Sequence, residues 1–199
     1  MKKCTLFLCI IVLFLSGCST MDMRKISVEP KISTENIRKS SLKAGLILDD
    51  QFTSYKYEFE TGRQIYLLST VRGEVEIGKN VSQAFYGIVS SKFKSVSISK
   101  NIINDIDDVD IYFVPNIKSF TYSPPSTGLG SHAASLELEI AIYGRNGKLQ
   151  HRINIKKDGS RSNFNQFALK TNYDMACGAV NEAINNTLEE FSVKLKEYY

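Results

Sequence analysis

Few residues in this 199-residue sequence are equipped for chemistry, and they lie far apart. It holds two histidines, His132 and His151, and four cysteines, Cys4, Cys9, Cys18 and Cys177. A hydrolase would need a base and a nucleophile brought together in a pocket with an orienting group. The candidates for such a site, or for a small-ligand or carbohydrate site, are Tyr112, Tyr122, His132 and His151. His132 follows Gly128, Gly130 and Ser131, which suggest a phosphate cradle, yet neither a lysine nor an amphipathic helix comes next. Asp105, Asp107, Asp108 and Asp110 crowd together, but a calcium loop also needs a turn glycine and a closing glutamate at set spacing. A solvated loop at a strand entrance is the expected reading. Zinc wants three or four ligands gathered in one place, and a lone mature-chain cysteine with two histidines offers little for such a site. No cofactor, metal or catalytic residue is therefore expected.

The cysteines are sorted by position. Lys2 and Lys3 give a positive head, Leu6–Phe14 is an apolar run, and Leu15-Ser16-Gly17-Cys18 closes it. A short apolar run between a basic start and small residues describes a secretory signal, and a spanning helix would need about 20 apolar residues. The closing tetrad resembles the lipobox of bacterial lipoproteins. The resemblance implies cleavage before Cys18, a diacylglycerol on its sulfur and commonly a third acyl chain on its new amino group. Two or more chains anchor stably where one binds marginally. Ser19 rather than an aspartate follows, which in that family favours the outer membrane. Cys4 and Cys9 leave with the signal, so only Cys177 remains free and no intramolecular disulfide can form.

The expected organisation is a signal peptide over 1–17, lipidated Cys18 with a polar tether over 18–41, and one domain over 42–199. The tether segment carries Asp22, Arg24, Lys25, Glu29, Lys31, Glu35, Arg38 and Lys39, the alternative being a short helix around Thr34–Lys39. It would reach about 25 Å as a flexible coil and about 80 Å fully stretched. The formal charge of +4 includes Lys2 and Lys3, so the mature chain is nearly balanced and a nucleic-acid surface is not expected.

Patterning predicts the elements that must position the candidates. Leu42–Leu48 reads as a buried strand. Tyr55, Tyr57 and Phe59 alternate with charged residues, as a half-buried strand does. Thr61-Gly62 reads as a turn before the apolar run Ile65–Leu68. Asn80 and Gln83 suggest a capping box for a helix running to Lys92, with Val81, Ala84, Phe85, Ile88 and Val89 on one face. A strand from Val109 meets Pro115, which implies an edge or a bulge. Residues 122–134 read as a long loop. Leu138, Ile140 and Ile142 then face Ile155, Ile153 and His151 across a two-residue Asn146-Gly147 turn, with Glu137 opposite Lys156. Asp158-Gly159 would end that hairpin. Cys177, Val180, Ile184, Leu188, Phe191, Leu195 and Tyr198 form one helical stripe from about Asn172.

The sum is an α+β fold, a mainly antiparallel sheet with two helices packed on it, the longer one C-terminal. The lipobox, the 42–48 strand, the Asn80–Phe93 helix, the Asp110–Phe120 strand and the Asn146-Gly147 hairpin together resemble periplasmic lipoproteins of the YajG-like kind and those like the amino-terminal domain of TolB. That resemblance implies a non-enzymatic part of an envelope assembly, held to the membrane through acyl chains on Cys18 and contacting another envelope protein or itself. The alternative is a ligand-binding module or hydrolase. A deep pocket joining a histidine to an acid would favour the latter, and a flat apolar patch or exposed strand edge the former.

Overall fold

The computed structural model describes residues 25–31, 39–61, 71–100, 109–125, 130–162 and 172–199, without the side chains of Thr61, Val71 and Asn172. The signal stretch, Cys18, the 34–38 segment, Gly62, the 65–68 run, Asp105, Asp107, Asp108 and Gly128 lie outside the described residues.

Eight strands and three helices are described: β1 (Lys25–Ile26), β2 (Ser40–Ile47), α1 (Asp50–Thr53), β3 (Lys56–Thr61), β4 (Val71–Glu76), α2 (Gly78–Lys92), β5 (Phe93–Ser99), β6 (Ile111–Ser123), β7 (Ser131–Gly144), β8 (Leu149–Ser162) and α3 (Asn172–Tyr198). A five-stranded sheet runs β5-β2-β6-β7-β8, and a three-stranded sheet runs β1-β4-β3. The class is α+β, as expected. Where one mainly antiparallel sheet was expected there are two, and the larger is mixed, because β2 lies parallel to both β5 and β6. Its apolar run explains this placement. Ala44 through Leu48 are buried without alternation, the pattern of a strand covered on both faces.

Helices α2 and α3 cover one face of the large sheet. Leu46, Phe113, Leu136, Leu138, Ile140 and Ile142 meet Phe85, Ile88, Val180, Ile184, Leu188 and Phe191 in one continuous core. Phe85 and Phe191 stack at 4.5 Å between ring centres and join the two helices above it. The small sheet extends this core past the end of β2. Its inward Tyr57 and Phe59 meet Phe120 and Tyr122 of β6 edge to face, at 5.2 and 4.8 Å.

The long hairpin has the expected register: Ile142 pairs with His151, Ile140 with Ile153, Leu138 with Ile155 and Glu137 with Lys156. The turn itself differs. Gly147 N–H donates to the Gly144 carbonyl, Gly144 N–H donates to the Lys148 carbonyl, and Gly147 takes φ 70°. The loop is thus three residues with a bulge beside it, and the register slips by one between Ile142 and Tyr143. Nor does the hairpin end at Asp158-Gly159, since β8 continues to Ser162. Gly159 is where α3 crosses the strand. A Cβ there would strike the Ala179 carbonyl and the Ala183 amide, so the glycine permits close helix–sheet approach.

Two further expectations are corrected, and the one on Pro115 holds. Helix α2 begins at Gly78, two residues ahead of the proposed cap, because the Tyr55 carbonyl accepts from the Ile77 and Gly78 amides. A backbone acceptor from the preceding turn thus serves in place of Asn80, whose amide reaches back to the Glu76 carbonyl. The Pro115 strand does carry the expected irregularity: β6 is interior at Ile111–Phe113, and its register shifts between Ile117 and Ser119, two residues past the proline. Pro115 itself lies past the last β2 pair, where a missing N–H costs no ladder bond on that side. Finally, part of the expected tether belongs to the body. β1 pairs with β4, and Ile26 and Val28 are 3% and 5% exposed in the core. Two alternating apolar residues were too short a pattern to register as a strand.

Candidate functional site

The stretch expected to be a loop over 122–134 is strand at both ends. β6 runs to Ser123 and β7 starts at Ser131, so Tyr122 and His132 stand on the same inward face of an antiparallel pair. Their contact is direct: the Tyr122 hydroxyl lies 2.7 Å from His132 Nδ1 and the rings stack at 6.0 Å. Phe59 covers Tyr122 from the small sheet. Burial raises the Tyr122 pKa well above its ordinary value, and the neighbouring Cys177 adds to the shift. The phenol therefore stays protonated at any physiological pH. Cys177 is half-buried at the start of α3, within hydrogen-bonding reach of Tyr173, whose pKa that bond and burial raise.

Such a pair could in principle pass a proton between phenol and imidazole. At 4% and 2% exposure, however, both rings are packed among apolar neighbours. Its physical effect is to tie the ends of β6 and β7 together, while Phe59 packs Tyr122 against the small sheet.

The other candidates do not join it. His151 lies ten residues along β7 from His132 in register, about 33 Å at strand rise. It is exposed on the helix side and lies against Tyr198 at 4.5 Å. The apolar-side position was legible from the register. Tyr112 faces the opposite side of the sheet, packed with Ile47 and Val109. Its ring rests on Gly45, where a Cβ would come within 2.8 Å of it. Sequence reasoning thus named four residues that occupy three separate places.

Two grooves stand out among the described residues, and neither is lined by a histidine. The larger, about 820 Å³, lies over the outer face of the small sheet and is lined by Lys25, Glu58, Phe59, Glu60, Arg72, Gly73 and Glu74. Its charges are matched across strands. Arg72 meets Glu60 at 2.7 Å, and Lys56 meets Glu76 at 3.0 Å and Glu74 at 3.8 Å. Lys25 reaches Glu76 at 3.3 Å and Glu74 at 3.7 Å. The Glu76 hydrogen bond and the nearby Glu74 raise the Lys56 pKa, while bonds from Lys56 and Lys25 lower that of Glu76. These pairs are open to solvent and add little stability. They do neutralise Glu58 facing Glu74 across the strands. The smaller groove, about 440 Å³, follows α3 past Asn181, Glu182, Asn185 and Asn186 beside Glu29 and Lys31.

No metal cluster is found among the described residues, and no described helix is long and apolar enough to cross a membrane. The edge of the large sheet is more open. β5 has one strand neighbour among the described residues, and Ile98 on it is 55% exposed.

Comparison with protein-family models and with curated protein sequences finds no match. Solved structures include distant likenesses. One is a Xanthomonas campestris protein of the DUF330 family, 11% identical with a TM-score of 0.48, covering 88% of this chain and 98% of that one. Another is a minor lipoprotein from Acinetobacter baumannii, 10% identical, TM-score 0.44, covering 81% and 95%. A third is a candidate lipoprotein from Caulobacter crescentus, 6% identical, TM-score 0.36, covering 59% and 79%. These likenesses are too distant to carry a function to this chain.

Proposed function

We propose that this chain is a lipid-anchored envelope protein, held to the outer membrane through acyl chains on Cys18, that acts by binding another envelope protein or a second copy of itself. One observation carries the reading: Leu15-Ser16-Gly17-Cys18 sits directly after a short apolar run and a basic start, seven residues ahead of the first strand of a folded body. The disposition of the candidate residues supports binding over catalysis. Tyr122 and His132 are enclosed in packing, and His151 and Tyr112 are elsewhere. The side of β5 with no strand neighbour among the described residues supplies main-chain donors and acceptors of the kind that take an added strand.

The test is membrane fractionation of Cys18→Ser beside the parent, with in-cell crosslinking to recover partners. Release of the variant from the membrane, with loss of the crosslinked species, supports the reading. A variant as tightly bound as the parent overturns it.

A further inference from the structure

We propose that residues 25–31 form a strap that sets how far the body stands from the bilayer, and that Asn181 and Asn185 of α3 are its clamp. The inference rests on the Cys18 anchor and adds to it the length of the leash.

The geometry is that of a strand read by a helix. Asn181 Oδ1 accepts from the Glu29 amide at 2.6 Å, and its Nδ2 donates to the Ser27 carbonyl at 3.1 Å. One turn on, Asn185 Oδ1 accepts from the Lys31 amide at 2.9 Å. Four residues of helix advance about 6 Å, and two residues of extended chain about 6.8 Å. Successive asparagines on one helix face therefore meet alternate residues of the strap. All three bonds go to backbone atoms, so they fix the path of the strap without reading its side chains. Ile26 and Val28 between them point into the core, and Lys25–Ile26 pairs with Glu74–Val75 of β4. The strap is thus held on one side by α3 and on the other by the small sheet.

The consequence is a short leash. Only seven residue steps separate Cys18 from Lys25. They span at most about 25 Å, and about 15 Å as a flexible coil. Were the strap free, the leash would extend to Lys39, with about 25 Å as a coil and a limit of about 75 Å. The clamp keeps the small-sheet end of the body close to the headgroups and confines the partners it can meet to that layer.

The experiment compares the full acylated parent with Val28→Asp/Asn181→Ala/Asn185→Ala. Amide hydrogen exchange is expected to quicken at least tenfold at Glu29 and Lys31, while β7 and β8 amides stay protected and so report an intact body. Equal exchange at Glu29 and Lys31 in the two proteins overturns the clamp. Neutron reflectometry on a supported bilayer is then expected to place the variant about 10 Å further out on average. Equal height in two bound, folded proteins overturns the stand-off. If neither protein leaves a layer on the bilayer, the anchor itself is refuted and the stand-off with it, even where the exchange result holds.

Discussion

Replacing Gly159 with alanine should loosen α3 from the sheet. The added Cβ would overlap the Ala179 carbonyl and the Ala183 amide, both backbone atoms of a helix that cannot swing aside. Relief requires α3 to lift by about 1 Å, and a gap of 0.5–1 Å forfeits roughly a quarter to a half of each dispersion contact across it. The residues that lose contact are Val180, Ile184, Leu188 and Phe191, all fully buried. Overpacking of this kind costs about 1–3 kcal/mol, against which alanine in a strand regains about 0.5–1 kcal/mol of the entropy that glycine loses. The net is a loss of about 1 kcal/mol. For a chain of this size that lowers Tm by about 2–4 °C, read by far-UV circular dichroism. Gly87→Ala is the matched control. It lies in α2 with open space around its Cβ, so the same substitution should stabilise by about 0.5–1 kcal/mol. A Gly159→Ala protein that melts with the parent, or a Gly87→Ala that melts lower, would refute the packing argument.

Three other substitutions probe the fold. Leu138→Asp puts a carboxylate into a fully buried position and should cost at least about 4 kcal/mol, a large part of a typical domain's stability, seen as loss of cooperative melting. Gly147→Ala must place a side chain at φ 70°, which should cost about 1 kcal/mol, read as a lower urea midpoint at unchanged m, without moving the Leu138–Ile155 register. The Tyr122 pKa is raised in the folded protein above the ordinary 10.0, so its stabilisation is full below about pH 10 and is lost as pH rises further. Tyr122→Phe should therefore show a shallower fall of Tm between pH 10 and 11.5. The remaining slope comes partly from Tyr199, whose pKa burial also raises.

Long elements with two agreeing faces were legible in the sequence. The β7–β8 register followed from apolar residues meeting apolar residues on one side and Glu137 meeting Lys156 on the other, which a one-residue slip would spoil. The α3 stripe followed from seven apolar positions at helical spacing. Misreadings fell where a distant partner decides the local structure. Helix α2 starts at Gly78 because the Tyr55 carbonyl happens to face it, and no local pattern announces that acceptor. Prolines and glycines around 124–130 suggested a loop, yet Tyr122 and His132 are drawn into strand by each other and by Phe59. Asp158-Gly159 has turn chemistry, but here the glycine serves close approach of α3. The strap at 25–31 is polar outside and carries only Ile26 and Val28 inside, and its hydrogen bonds come from asparagines some 150 residues away. Of the candidate site, the residue types were readable and their separation was not, because it depends on which strand face and end each occupies.

The anchor on Cys18 is the claim from which location, leash and partner all follow. Its most direct measurement is metabolic labelling with radioactive palmitate in the native host, followed by recovery of the mature protein and of Cys18→Ser. Label is expected on the parent, with a mature amino terminus at Cys18, and none on the variant. An unlabelled parent, or a variant labelled to the same extent, would contradict it.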